Sequence, residues 1–127
     1  AEDVQLYCLE KFHEMPAWTE EIEAACAEGI KINNEWKLKT EIQLFQINDI
    51  LFPTLPGEFF LNLGEKILAN SPTDKTFLVE LANDCAGYFF SLDDFLGGGY
   101  EPSMSVSPLG GTYVVNKIIK LLRNVNI

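Results

Sequence analysis

Apolar and polar positions recur along this chain with two different periods, and the change of period divides it. In residues 2–15, Val4, Tyr7, Cys8, Phe12 and Met15 fall at helical spacing, and Pro16 ends the run because its ring cannot continue the hydrogen-bond ladder. A second helix is predicted from Ala17 to Glu28, with Trp18, Ile22, Ala25 and Cys26 on one side and Gly29 as its left-handed cap. From Trp36 the period becomes two. Trp36, Leu38, Thr40, Ile42 and Leu44 alternate with Lys37, Lys39, Glu41 and Gln43, which predicts a strand with one wet face. Asn48-Asp49 predicts a turn, and Ile50-Leu51-Phe52 begins the next strand.

Pro56-Gly57 ends that strand, and Glu58 is predicted to open a helix whose apolar side is Phe59, Phe60, Leu63, Ile67 and Leu68. After the loop of residues 70–75, the run Phe77 to Ala82 is apolar enough to predict a strand central in a sheet. Ser91 and Asp94 are spaced as a capping pair for a brief helix that Gly97-Gly98-Gly99 terminates. A last helix, Thr112 to Arg123, is predicted to bury Val114, Val115, Ile118, Ile119 and Leu122. The expected class is α/β or α+β: a mixed sheet with helices packed on it and an N-terminal acidic helical segment. Residues 1–127 form one expected domain, in which 1–29 is the acidic arm and 36–127 the sheet-and-helix core.

Charge sharpens this division. The net charge is −10, and residues 1–29 hold eight acids against Lys11 alone, so 8 − 1 places seven of the ten negative charges there. That balance argues against nucleic acid and anionic membrane surfaces as partners, because phosphate contacts need clustered Lys or Arg. Cys8, Cys26 and Cys85 are widely spaced, with no CxxC and no nearby His pair, and are read as buried thiols. No run reaches the roughly 18 apolar residues of a membrane span, and the N-terminus lacks a signal-peptide layout, which leaves localisation open.

Candidate chemistry gathers at two strand ends. Glu58, at a strand-to-helix corner, is either a first-turn acid favoured by the helix dipole or a metal ligand or general base. Tyr88, reached from the strand Phe77 to Ala82 through a polar hexapeptide, is either a core-boundary aromatic or a second group on the same rim. Asn83 and Asp84 suit a turn, and Gly87 permits close approach of chain or ligand. His13 is the single histidine and lies on the acidic segment. No nucleophile elbow, HExxH, P-loop or dinucleotide fingerprint is present. Catalytic zinc takes three protein ligands, and this chain offers no His-based set of its own.

Residues 51–123 carry a resemblance. "LPGEFFLNLGEKI", "LANDCAGYFFSLDDFLGGGYE" and "SPLGGTYVVNKIIKLL" contain, in order, a PGE corner, an N-x-x-x-x-Y stretch and a GGYE motif. They resemble the C-terminal part of the catalytic domain of the neutral/alkaline non-lysosomal ceramidase family. The resemblance implies that Glu58 and Tyr88, 88 − 58 = 30 positions apart, are zinc ligands, with Gly57, Asn83, Asp84 and Gly87 in support. It also implies two histidines and a serine from an upstream segment, none of whose motifs occurs here, and hydrolysis of the amide of an N-acyl sphingoid lipid by metal-bound water. Thr112 stands where many family members carry an acid.

On this reading the chain is the C-terminal segment of a ceramidase-like zinc amidohydrolase, inactive without its upstream part or a companion chain. By resemblance it would be secreted or at the cell surface. The alternative is a stand-alone, non-catalytic α/β binding or interaction module related to that family.

Overall fold

The computed structural model describes residues 2–8, 36–105, 107 and 109–127. Strand β1 (Glu2–Cys8) runs antiparallel to β2 (Trp36–Ile42), with Glu2 opposite Ile42 and Cys8 opposite Trp36. Residues 2–8 thus correct the helix predicted at the N-terminus. Val4, Leu6 and Cys8 also alternate with Asp3, Gln5 and Tyr7, and pairing along seven residues of β2 satisfies a backbone that one short, isolated helix would stabilise only marginally. The rest of that predicted helix, the helix from Ala17 to Glu28, the remainder of the acidic arm and His13 lie outside the described residues.

In β2 the predicted alternation holds where side chains are described: Thr40 and Ile42 are buried while Lys39 is exposed. The chain is interrupted at Gln43, whose N–H donates to Thr54 Oγ1 (2.7 Å) and whose carbonyl accepts the Thr54 N–H (2.9 Å). It then forms a hairpin of β3 (Leu44–Ile47) and β4 (Ile50–Pro53). The predicted turn lies between them, with Asn48 at φ 55, a left-handed conformation that asparagine tolerates. Leu51 and Pro53 of β4 point into the core.

Beyond β4 the chain stays extended through Leu55 into β5 (Glu58–Phe59) and then forms helix α1 (Leu61–Leu68). Residues 75–82 return alongside this strand in parallel, through Leu51 N–H to Lys75 O, Phe77 N–H to Leu51 O, Val79 N–H to Pro53 O and Leu55 N–H to Val79 O. This is a β-α-β connection, but the returning segment is not the central strand predicted. Phe77, Val79 and Leu81 are 57%, 39% and 54% exposed, so the segment is covered mainly on its inward side, by way of Thr76 and Leu78. An unbroken apolar run cannot by itself tell a strand covered on both faces from one covered on a single face.

Strand β6 (Tyr88–Phe89) lies parallel to β5 on the edge opposite residues 75–82. Two short helices follow, α2 (Leu92–Gly97) and α3 (Tyr100–Ser103), and then α4 (Gly110–Leu122). Leu63 and Ile67 of α1 and Val114, Val115, Ile118 and Leu122 of α4 share one core with Ile42, Leu51, Leu55, Phe59 and Phe89. The last helix buries the five residues its spacing predicts. Strands pair both parallel and antiparallel and helices pack on them, which is the mixed α/β class expected.

The capping pair is also as predicted. Ser91 Oγ accepts the Asp94 N–H (3.2 Å), and Asp94 Oδ2 accepts the Ser91 N–H (3.0 Å) and the Asn62 side-chain amide (2.8 Å), tying α2 to α1. The Ser91 hydroxyl and the Asn62 amide, both donating to it, hold the Asp94 carboxyl below its ordinary range. Ser91→Ala is expected to cost about 1 kcal/mol in urea unfolding. A folded-state carboxyl held low contributes stability above its unfolded pKa and loses it as pH falls through the lower folded value. The gap between Ser91→Ala and the unaltered chain should therefore narrow at acid pH, leaving the part owed to the Asp94 N–H bond.

Candidate functional site

Glu58 and Tyr88, far apart in sequence, are direct partners across the parallel pair β5–β6. Two backbone bonds fix this register: Glu58 N–H to Gly87 O (3.1 Å) and Phe60 N–H to Phe89 O (2.9 Å). In a parallel pair, residues in register stand on the same face, so the carboxylate and the phenol project side by side. Glu58 is not in the first turn of a helix as predicted. It belongs to a strand three residues before α1, whose N-cap is Phe60. The helix yields to the strand here because the parallel neighbour claims the Glu58 N–H and the Phe60 N–H.

Glycine makes this pairing possible. A Cβ on Gly57 would lie 2.3 Å from Gly87 O and 2.7 Å from the Phe89 ring, so the strands could not close to hydrogen-bonding distance around a larger residue. Gly87 has φ 80 and bridges antiparallel to Ser105, and a Cβ on it would lie 2.7 Å from Met104 O. The segment after α3 is therefore seated directly against the start of β6.

Partial burial raises the Tyr88 phenol above its usual range, and the neighbouring Glu58 carboxylate reinforces this, both as a charge and as a hydrogen-bond acceptor. Tyr100 and Glu101 add smaller contributions in the same direction. The Tyr100 ring meets the Tyr88 ring edge to face, with centroids 6.2 Å apart. Sequence reasoning does not place Tyr100 or Glu101 beside the pair. The available signal is Gly97-Gly98-Gly99: Gly98 and Gly99 have φ 71 and 121, turning the chain so that α3 comes back over β6.

The remaining predicted residues take supporting positions. The Asn83 side-chain amide donates to Thr54 Oγ1 (3.0 Å), and Asp84 Oδ1 accepts the Cys85 N–H (2.8 Å), a local turn contact. Cys85 is exposed, which corrects its reading as a buried thiol; it sits in the loop before β6 rather than in either strand. Glu80, also unanticipated, accepts the Phe59 N–H on the edge of β5 opposite Tyr88 (3.2 Å).

Among the described residues no group of three or more His, Cys, Asp or Glu could hold a metal ion. Glu58 and Tyr88 offer two oxygen donors from adjacent strands. That fits one side of a zinc shell and leaves the others to be supplied from outside the described residues. No helix among the described residues is long and apolar enough to cross a membrane.

No protein-family profile matches the sequence. No curated protein matches it. Among solved structures, neutral ceramidase from Pseudomonas aeruginosa is similar with a TM-score of 0.52 and 19% identity, over 72% of this chain and 16% of that one. A ceramidase complexed with C2 is similar with a TM-score of 0.52 and 20% identity, over 83% of this chain and 18% of that one. The chain thus spans less than a fifth of either ceramidase. Over the part covered, the chain has the fold of a segment of neutral ceramidase.

Proposed function

We propose that this chain contributes the Glu58 and Tyr88 half of a zinc centre in a ceramidase-like amidohydrolase, acting on the amide bond of an N-acyl sphingoid lipid or a related N-acyl compound. The observation that carries this reading is the β5–β6 register, which sets side by side the two residues that the resemblance makes ligands. Zinc, when bound, would bring the pKa of a coordinated water toward neutrality and polarise the amide carbonyl. Glu58 supplies negative charge to the centre. Tyr88 holds its phenolic proton toward Glu58 while no cation is present, because partial burial and that carboxylate both oppose its ionisation.

The missing ligands would come from the upstream part of the same enzyme or from a companion chain. The exposed apolar edge of Phe77, Val79 and Leu81, next to Gly57 through the Leu81 N–H bond to Gly57 O, supports a larger catalytic domain around this segment. In an enzyme reassembled with its upstream part, Glu58→Ala should abolish zinc retention after dialysis and lower amide hydrolysis by at least about 100-fold. Full zinc content and activity in that variant would show that Glu58 is not a ligand.

A further inference from the structure

The loop that carries the chain to Tyr88 crosses the strand it serves. Residues up to Ala82 bond to one edge of the segment that joins β4 to β5, through Leu81 N–H to Gly57 O and Ala82 N–H to Leu55 O. By Ala86, whose N–H donates to Pro56 O (2.7 Å), the chain has reached the other edge, where β6 pairs with β5. The passage takes five residues. Leu81 at φ 52 is a bulky residue in the left-handed region, which is conformationally uphill, and Asn83 follows at φ 70, a conformation that asparagine tolerates.

Side chains alternate along the strand that the loop crosses. Leu55 points into the core, so Thr54 points to the opposite face, yet it is only 4% exposed. Its hydroxyl accepts the Asn83 side-chain amide, accepts the Gln43 N–H and donates to Gln43 O (3.3 Å). One buried hydroxyl therefore joins the crossing loop to the strand beneath it, two residues after Leu81, the residue whose left-handed backbone is strained.

We propose that the Asn83–Thr54 hydrogen bond is the latch that holds this crossing and thereby sets where Tyr88 stands relative to Glu58, so that Asn83 and Thr54 are positioning residues for the site. The assignment rests on the zinc-centre reading for its functional meaning. Its structural content is independent of any metal: a strained backbone persists only where its surroundings over-determine it, and the latch is a side-chain hydrogen bond from this turn to the strand.

The test uses the whole chain, with ring-labelled tyrosine and amide hydrogen exchange followed by NMR. Asn83→Gly keeps the left-handed backbone without steric cost and removes the latching amide. In this variant the Tyr88 ring resonances should move while those of Tyr113 on α4 stay fixed. The Glu58 amide, which reports β5–β6 pairing, should exchange at least about tenfold faster, with the Val79 amide unchanged. Thr54→Ser keeps the hydroxyl and should match the unaltered chain at both readouts. Unmoved Tyr88 resonances with unchanged Glu58 exchange in Asn83→Gly would overturn the proposal. So would a uniform acceleration of all amides, since that is a loss of global stability. None of these readouts requires zinc, so failure of the latch and failure of the zinc-centre reading are separable.

Discussion

Gly57→Ala is expected to destabilise the fold by about 3 kcal/mol and to part β5 from β6. The added methyl would stand 2.3 Å from a backbone oxygen, that of Gly87, and 2.7 Å from the buried Phe89 ring. Neither is the free end of a flexible side chain, so relief must come from moving a strand. The strand that moves carries Tyr88 away from Glu58, because the Glu58 N–H bond to the same Gly87 oxygen sets the register. Urea unfolding should show a lower midpoint with an unchanged slope, and Tyr88 resonances should shift in the folded state. A loss below about 1 kcal/mol would mean that the strands do not approach as closely as the structure has them.

Phe89→Ala should cost about 3–5 kcal/mol, the range for removing a fully buried aromatic. Phe89 is 1% exposed and stacks on Phe59 with centroids 4.5 Å apart and an interplanar angle of 17°. Its ring also lies 3.5 Å from where a Cβ on Gly110 would stand at the start of α4, so it joins the parallel pair to the terminal helix. Its loss leaves a cavity that Gly57 and Gly110 cannot fill, since neither has a side chain to move. In thermal unfolding the variant should melt as one cooperative unit at a lower temperature. An unaltered melting temperature would remove Phe89 from the core of this account.

What the sequence discloses here follows the range of the interactions involved. Local signals are legible: the Ser91–Asp94 box, the Asn48-Asp49 turn and the apolar stripe of α4 are each encoded within a few residues and form as read. The misread elements are those settled by a distant partner. Residues 2–8 fit both periods, and β2 decides for a strand. Glu58 looks like a helix start until Gly87 claims its N–H. Phe77 to Ala82 reads as central because periodicity records apolarity and not what covers it.

Strand-end position places Glu58 and Tyr88 on one rim and motif order pairs them, while nothing local in either strand indicates that they are in register. The contribution of Thr54 was hidden for a similar reason. A threonine in an apolar strand gives no sign that a loop 29 positions later will cross it.

The central claim is that Glu58 and Tyr88 form one half of a zinc site, and zinc titration of the isolated chain followed by amide NMR tests it most directly. The account predicts weak, unsaturated binding, with shifts confined to residues 57–60 and 87–89 and abolished in Glu58→Gln. Tight binding of one zinc per chain, or shifts centred on His13 or Cys85 with Glu58 and Tyr88 unmoved, would contradict it.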